Sequence, residues 1–92
     1  FIMEDERPNA NQLYKSLSWA VQKIELGERD YRQLEVEAIK QIEVAGFRAD
    51  YFSVCNAKTL DLAVDEDKEL AILGALFTSG ARLIDNLTLS ID

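Results

Sequence analysis

The chain's 92 residues are 48 % hydrophobic and 29 % charged and carry a net charge of −7. That is enough for one globular domain with its own core, and no Lys/Arg cluster offsets the acidity, which disfavours nucleic acid and anionic membrane surfaces as partners. Histidine is absent and Cys55 is the one cysteine, which removes imidazole catalysis, most zinc sites and any internal disulfide, and fits a reducing, cytoplasmic compartment. No run approaches the ~20 apolar residues of a membrane helix.

In chain order, Ala10, Leu13, Tyr14, Leu17, Ala20, Val21 and Ile24 recur at helical spacing. Pro8 suits a first helical turn, and Glu4, Asp5 and Glu6 suit a helix start. Gly27 ends this helix as a left-handed cap. Asp30 opens a second helix, with Gln33 placed three residues on for a capping box. Its apolar stripe is Tyr31, Leu34, Ala38, Ile39, Ile42 and Ala45, and Gly46 closes it with Phe47 folding back on Ile42. A link of about three residues predicts an antiparallel helical hairpin.

After Gly46 the period changes. Tyr51–Asn56 is aromatic and β-branched and predicts a strand. Thr59–Asp67 predicts a loop or short turn. Glu69–Thr78 predicts a mostly buried strand, Ser79-Gly80 a hairpin turn, and Ala81–Ile91 the return strand. The expected fold is α+β: an antiparallel two-helix hairpin packed on a small three-stranded antiparallel sheet. Residues 1–92 form a single domain.

The side chains that invite chemistry are few. The acidic group Asp61, Asp65, Glu66 and Asp67 lacks the ligand spacing of a calcium loop and reads as a solvated loop. Cys55 has no cationic neighbour in sequence and reads as a small buried hydrophobe. Trp19 falls off the apolar stripe, on the far side of the first helix. The glycines at Gly27 and Gly46 are explained by helix caps, not phosphate loops. The return strand holds Arg82, Asp85 and Asn86 in an apolar run, where charge must be paired. Arg82 and Asp85 have opposite parity on a strand and cannot face each other. Their structural reading is a polar network fixing the strand ends. Their functional reading is a contact with another domain.

Four blocks in order carry a family resemblance: Leu13-Tyr14-Lys15-x-Leu17, Gly27-Glu28-Arg29, Gly46-Phe47-x-x-Asp50-Tyr51, and Ala81-Arg82-Leu83-Ile84-Asp85-Asn86. Together the sequence resembles the C-terminal domain of the pantoate–beta-alanine ligases. The resemblance implies two helices on a three-stranded sheet acting as a lid. It also implies a separate N-terminal Rossmann-like catalytic domain, which condenses pantoate and beta-alanine through a pantoyl adenylate and releases AMP and pyrophosphate. ATP with Mg, a homodimeric full-length enzyme and a His-x-Gly-His motif in that other domain come with the family. Such members carry Ser-Arg-Asn at the domain junction, followed by Tyr-Leu, and Phe1-Ile2 fits those two positions. The chain is therefore expected to be inactive alone, with no catalytic, substrate, cofactor or metal residue of its own. Its expected partner is its own N-terminal domain, with no nucleic acid and no membrane. Met3 departs from the Ser or Thr the family uses as a helix cap, which places the first-helix start later. Phe1, Ile2, Arg82, Asp85 and Asn86 are the candidate interdomain or structural residues. The competing reading is a stand-alone α+β module that binds a protein through a free sheet face or edge.

Overall fold

A computed structural model describes residues 7–91, with side chains from residue 11 onward. Helix α1 spans Arg7–Glu25 and α2 spans Tyr31–Val44, followed by strands β1 (Arg48–Asn56), β2 (Glu69–Phe77) and β3 (Arg82–Ser90). The three strands form one antiparallel sheet in the order β1-β2-β3, and both helices pack on one side of it. The expected α+β architecture is the one observed. Among the described residues, no helix is long and apolar enough to cross a membrane.

Both helix ends follow from their glycines. Gly27 has φ +108 and Gly46 has φ +98, a region where a side chain is strained. Around each, two backbone bonds close the last turn: Glu28 N–H to Lys23 O and Gly27 N–H to Ile24 O, then Phe47 N–H to Ile42 O and Gly46 N–H to Glu43 O. These are the 6→1 and 5→2 pairs of a Schellman end, and Phe47 packs on the core that contains Ile42. The start of α2 differs from a capping box. Asp30 does accept from Gln33 N–H at 3.2 Å, but its own N–H goes to Glu28 Oε1 at 2.9 Å. A carboxylate two residues upstream supplies the bond assigned to Gln33.

The core lies between helices and sheet. Leu13, Leu17, Ala20 and Ile24 of α1 and Tyr31, Leu34, Ala38 and Ile42 of α2 meet Phe52, Val54, Leu70, Ile72 and Leu76 of the strands. Two stripe positions leave it: Tyr14 is 54 % exposed, and Ala45 is the exposed cap residue of α2. Trp19 is corrected in the other direction. It is partly buried against the core, lining the outer groove between the helices with Lys23, Gln41 and Val44. The α2 helix lies on that side of α1, tied through Ser16 Oγ to Gln41 Oε1 at 3.3 Å. Helix α1 approaches the sheet closely at Gly74, where an added Cβ would lie 3.1 Å from Leu13 Cδ1 and 3.2 Å from Phe52 Cδ2.

Strand β1 begins three residues before the expected Tyr51, and a register shift between Ala49 and Tyr51 leaves Asp50 as an extra, bulged residue. At the hairpin, Thr78 N–H bonds Ala81 O at 2.8 Å, leaving Ser79 and Gly80 as the two-residue tip. Neither has positive φ, so the tip is not one of the primed turns that two-residue hairpins favour. Thr78 Oγ1 holds it instead, accepting from Ala81 N–H at 2.8 Å and Gly80 N–H at 3.2 Å. The loop between β1 and β2 is similarly tied. Asn56 Oδ1 accepts from Lys58 and Thr59 N–H, Asn56 Nδ2 donates to Asp67 Oδ1, and Asp67 Oδ2 accepts from Val64 N–H. Asp67 is thus a loop staple, not only a solvated charge.

Two buried groups make the fold sensitive to alkali. Burial pushes the Tyr31 hydroxyl above its ordinary value, opposed by Arg29 and reinforced by Asp65 and Asp67. Burial also pushes the Cys55 thiol up, with Glu35 and Asp61 adding and Arg32 opposing. Each group prefers its neutral form in the fold. The stability it contributes is complete below the ordinary value, 9.0 for the thiol and 10.0 for the phenol, and is lost as pH rises through the higher folded value. The Tyr31 hydroxyl is buried with no hydrogen-bond partner. Tyr31→Phe is therefore expected to be neutral or to stabilise by about 1 kcal/mol at pH 7. Urea midpoints measured from pH 7 to 11 should also fall less for it than for the parent chain.

Candidate interdomain site

The register sorts the sheet residues into two faces. Phe52, Val54, Leu70, Ile72, Leu76, Leu83 and Leu87 face the helices. The uncovered face takes Tyr51, Ser53 and Cys55 from β1, Ala71, Leu73, Ala75 and Phe77 from β2, and Arg82, Ile84, Asn86 and Thr88 from β3. The bulge at Asp50 resets the phase of β1, so Arg48 pairs with Phe77 and joins this face as well. Without the extra residue Arg48 would share the parity of Phe52 and point at the helices.

At the hairpin end of that face a polar group assembles. Arg82 reaches across β2 to Asp50, with Nε and Nη2 each 2.7 Å from Oδ2. Its guanidinium lies 5.8 Å from the centre of the Tyr51 ring, and that of Arg48 lies 4.3 Å from the centre of the Phe77 ring. Such contacts contribute about 0.5–1 kcal/mol each at exposed positions. The Arg82 and Asp50 side chains remain 45 % and 30 % exposed, so their ion pair is worth about 0.2–1 kcal/mol in the isolated chain.

The apolar run around Arg82, Asp85 and Asn86 does not bury them: β3 is an edge strand, and all three are exposed. The requirement for a partner still holds for Arg82, and Asp50 meets it. Arg82 and Asp85 lie on opposite faces, as parity requires. Asp85 falls on the helix side opposite Gly74, and its Oδ1 accepts the N–H of Asn86 at 2.8 Å. No contact joins Arg82 to Asp85 or Asn86, so the three do not form one network. Phe1 and Ile2 lie outside the described residues. Arg48 and Phe77 were not singled out in the sequence, because their place on this face depends on the bulge. Asp50 and Tyr51 were visible only as part of a motif, and that motif meets the Arg82 block here although the two are more than thirty residues apart.

Neither glycine-bearing helix end offers a phosphate cradle. The N–H groups of Gly27, Glu28, Gly46 and Phe47 are consumed by the helix caps, and the start of α2 is lined by the Glu28 and Asp30 carboxylates, which repel phosphate. Among the described residues, no group of three or more His, Cys, Asp or Glu side chains is placed to hold a metal ion. Cys55 is buried and its thiol is held neutral, which makes it a poor nucleophile.

A helix pair on one side of a three-stranded antiparallel sheet, with the second sheet face uncovered, defines a two-layer α+β domain. Comparison with known proteins gives the family. The pantoate-beta-alanine ligase family model matches residues 1–88, and the chain belongs to that family. It is 55 % identical over 91 residues to the pantothenate synthetase of Saccharophagus degradans and 51 % identical over 88 residues to that of Cellvibrio japonicus. These matches cover 99 % and 96 % of the chain but 32 % and 31 % of the relatives, so the chain spans about a third of their length. A crystal structure of pantothenate synthetase from Thermus thermophilus superposes with a TM-score of 0.70 at 27 % identity, covering 95 % of this chain and 32 % of that one.

Proposed function

We propose that this chain is the C-terminal lid of an ATP-dependent ligase that joins pantoate to beta-alanine through a pantoyl adenylate. The observation that carries the reading is the family match over nearly the whole chain at a third of the relatives' length. The adenylating chemistry, with ATP, Mg and both substrates, belongs to the other two-thirds. Closure of the lid excludes water from the acyl adenylate, which hydrolysis would waste. Arg82 at the hairpin end of β3 and Asn86 at its middle lie on the uncovered sheet face where an interdomain contact would form, while Asp85 faces the helix side. The whole enzyme is in this reading a cytoplasmic homodimer.

Deleting the region equivalent to residues 1–92 from a full-length relative should lower pantothenate formation at least about 100-fold, the scale on which misplacement of reacting groups acts. Restoring it by joining this chain to the truncated relative should recover turnover. Unchanged turnover after the deletion would overturn the lid reading.

A further inference from the structure

We infer that the uncovered face of the sheet, and not the outer face of the helices, is the surface on which the rest of the enzyme packs. The inference rests on the reading of this chain as one domain of a longer ligase. Strand β2 supplies the main reason. An antiparallel sheet with one solvated face alternates apolar and polar residues, and β2 does not. Its helix side carries Leu70, Ile72, Gly74 and Leu76, and its uncovered side carries Ala71, Leu73, Ala75 and Phe77. This is the composition of a strand meant to be covered on both sides. The neighbours extend the apolar area: Tyr51 lies beside Ala75 on one flank, and Ile84, 58 % exposed, lies beside it on the other. Ala71 and Ala75 are already buried between these larger neighbours, so the contact surface is formed by Tyr51, Leu73, Phe77 and Ile84.

Charge points the same way. Arg82 on this face is paired with Asp50 and Glu69 with Lys58, and Arg48 adds a further cation, so the face carries no net negative charge in a chain of net charge −7. The acidity therefore lies elsewhere, and this is the face that approaches another surface without net repulsion. The helix side also exposes apolar residues, Tyr14, Leu26, Val36 and Val44, but they are interspersed in sequence with Lys15, Glu25, Arg32, Glu37, Lys40 and Glu43, whereas the uncovered side of β2 carries no charge from Ala71 to Phe77. The edge of β1 is closed by side chains of α2 and by the following loop. The occupant is supplied by the relatives' length: some two-thirds of each lies outside the match to this chain. The partner surface is apolar opposite Leu73, Phe77 and Ile84, and it offers hydrogen-bonding groups to Asn86.

The test joins this chain to the catalytic two-thirds of the Saccharophagus degradans relative, in place of its own matching third. Ile84→Cys, Asn86→Cys and, on the helix face, Val36→Cys are made separately in that chimera. Thiol labelling in the presence of ATP and pantoate is followed peptide by peptide, against the urea-unfolded protein. The inference expects labelling at Ile84→Cys and Asn86→Cys to be at least about tenfold slower than unfolded, and at Val36→Cys to stay within about threefold. Fast labelling at both β3 positions, or protection at Val36→Cys instead, would overturn it. The two readings separate cleanly. A chimera that makes pantothenate with Ile84→Cys unprotected leaves the lid reading standing without this face. Protection at Ile84→Cys in an enzyme whose turnover ignores the deletion leaves the face standing without the lid.

Discussion

Ile72→Ala should lower the unfolding free energy of the chain by about 2–5 kcal/mol, whereas Leu73→Ala, one residue along, should lower it by under about 1 kcal/mol. Ile72 is fully buried between the central strand and both helices, and its truncation leaves a cavity among Leu17, Val54 and their neighbours that the packed helices close only in part. Leu73 lies on the uncovered face, only partly buried, with no layer above it. A domain of this size holds about 5–14 kcal/mol in total, so the first change removes a large share of its stability. Each kcal/mol moves the melting temperature by about 4–8 °C. Urea denaturation of the two variants side by side measures the contrast. Near-equal losses would mean that the second face is already covered, for example by self-association. In the joined enzyme the difference should narrow, because Leu73 then lies beneath the rest of the protein.

What the sequence displayed depended on the range of the interaction. The caps at Gly27 and Gly46 were legible because a Schellman end is made within six residues and only glycine adopts its φ without strain. The cap bond from Asp30 N–H was misassigned to Gln33, since Glu28 competes for the same donor at an equally short range. Tyr14 and Trp19 were misplaced for a related reason. Periodicity finds the stripe a helix buries but not the side from which a second helix approaches, and α2 shelters Trp19 while leaving Tyr14 in solvent. The two-sided burial of β2 was legible in the unbroken apolar run Leu70–Phe77. The pairing of Arg82 with Asp50 was not. It depends on one extra residue in β1 and a strand order that brings residue 50 and residue 82 to the same end of the sheet, and no local pattern encodes either.

Glu35→Ala should cost about 1–3 kcal/mol, the penalty of stranding a buried donor, and should also shift the chain toward larger assemblies than the parent forms. The carboxylate accepts Val54 N–H at 2.8 Å, while Arg32 Nη2 donates to Val54 O at 2.9 Å and pairs with Glu35 at 3.0 Å. The guanidinium and carboxylate together occupy the donor and acceptor of one residue on the outer edge of β1, as a neighbouring strand would. The loop shares the Val54 carbonyl through Ala63 N–H and takes the next donor of that edge through Asn56 N–H to Asp61 O. A strand edge left open recruits other chains, and β1 is closed here by side chains instead of by a further strand. Removing Glu35 leaves Val54 N–H without its acceptor and Arg32 without its carboxylate, both beneath partial cover. Glu35→Gln retains an acceptor and should recover most of the loss, which separates the hydrogen bond from the ion pair. Sedimentation of Glu35→Ala at the same rate as the parent chain, with an unchanged urea midpoint, would show that the loop alone closes the edge.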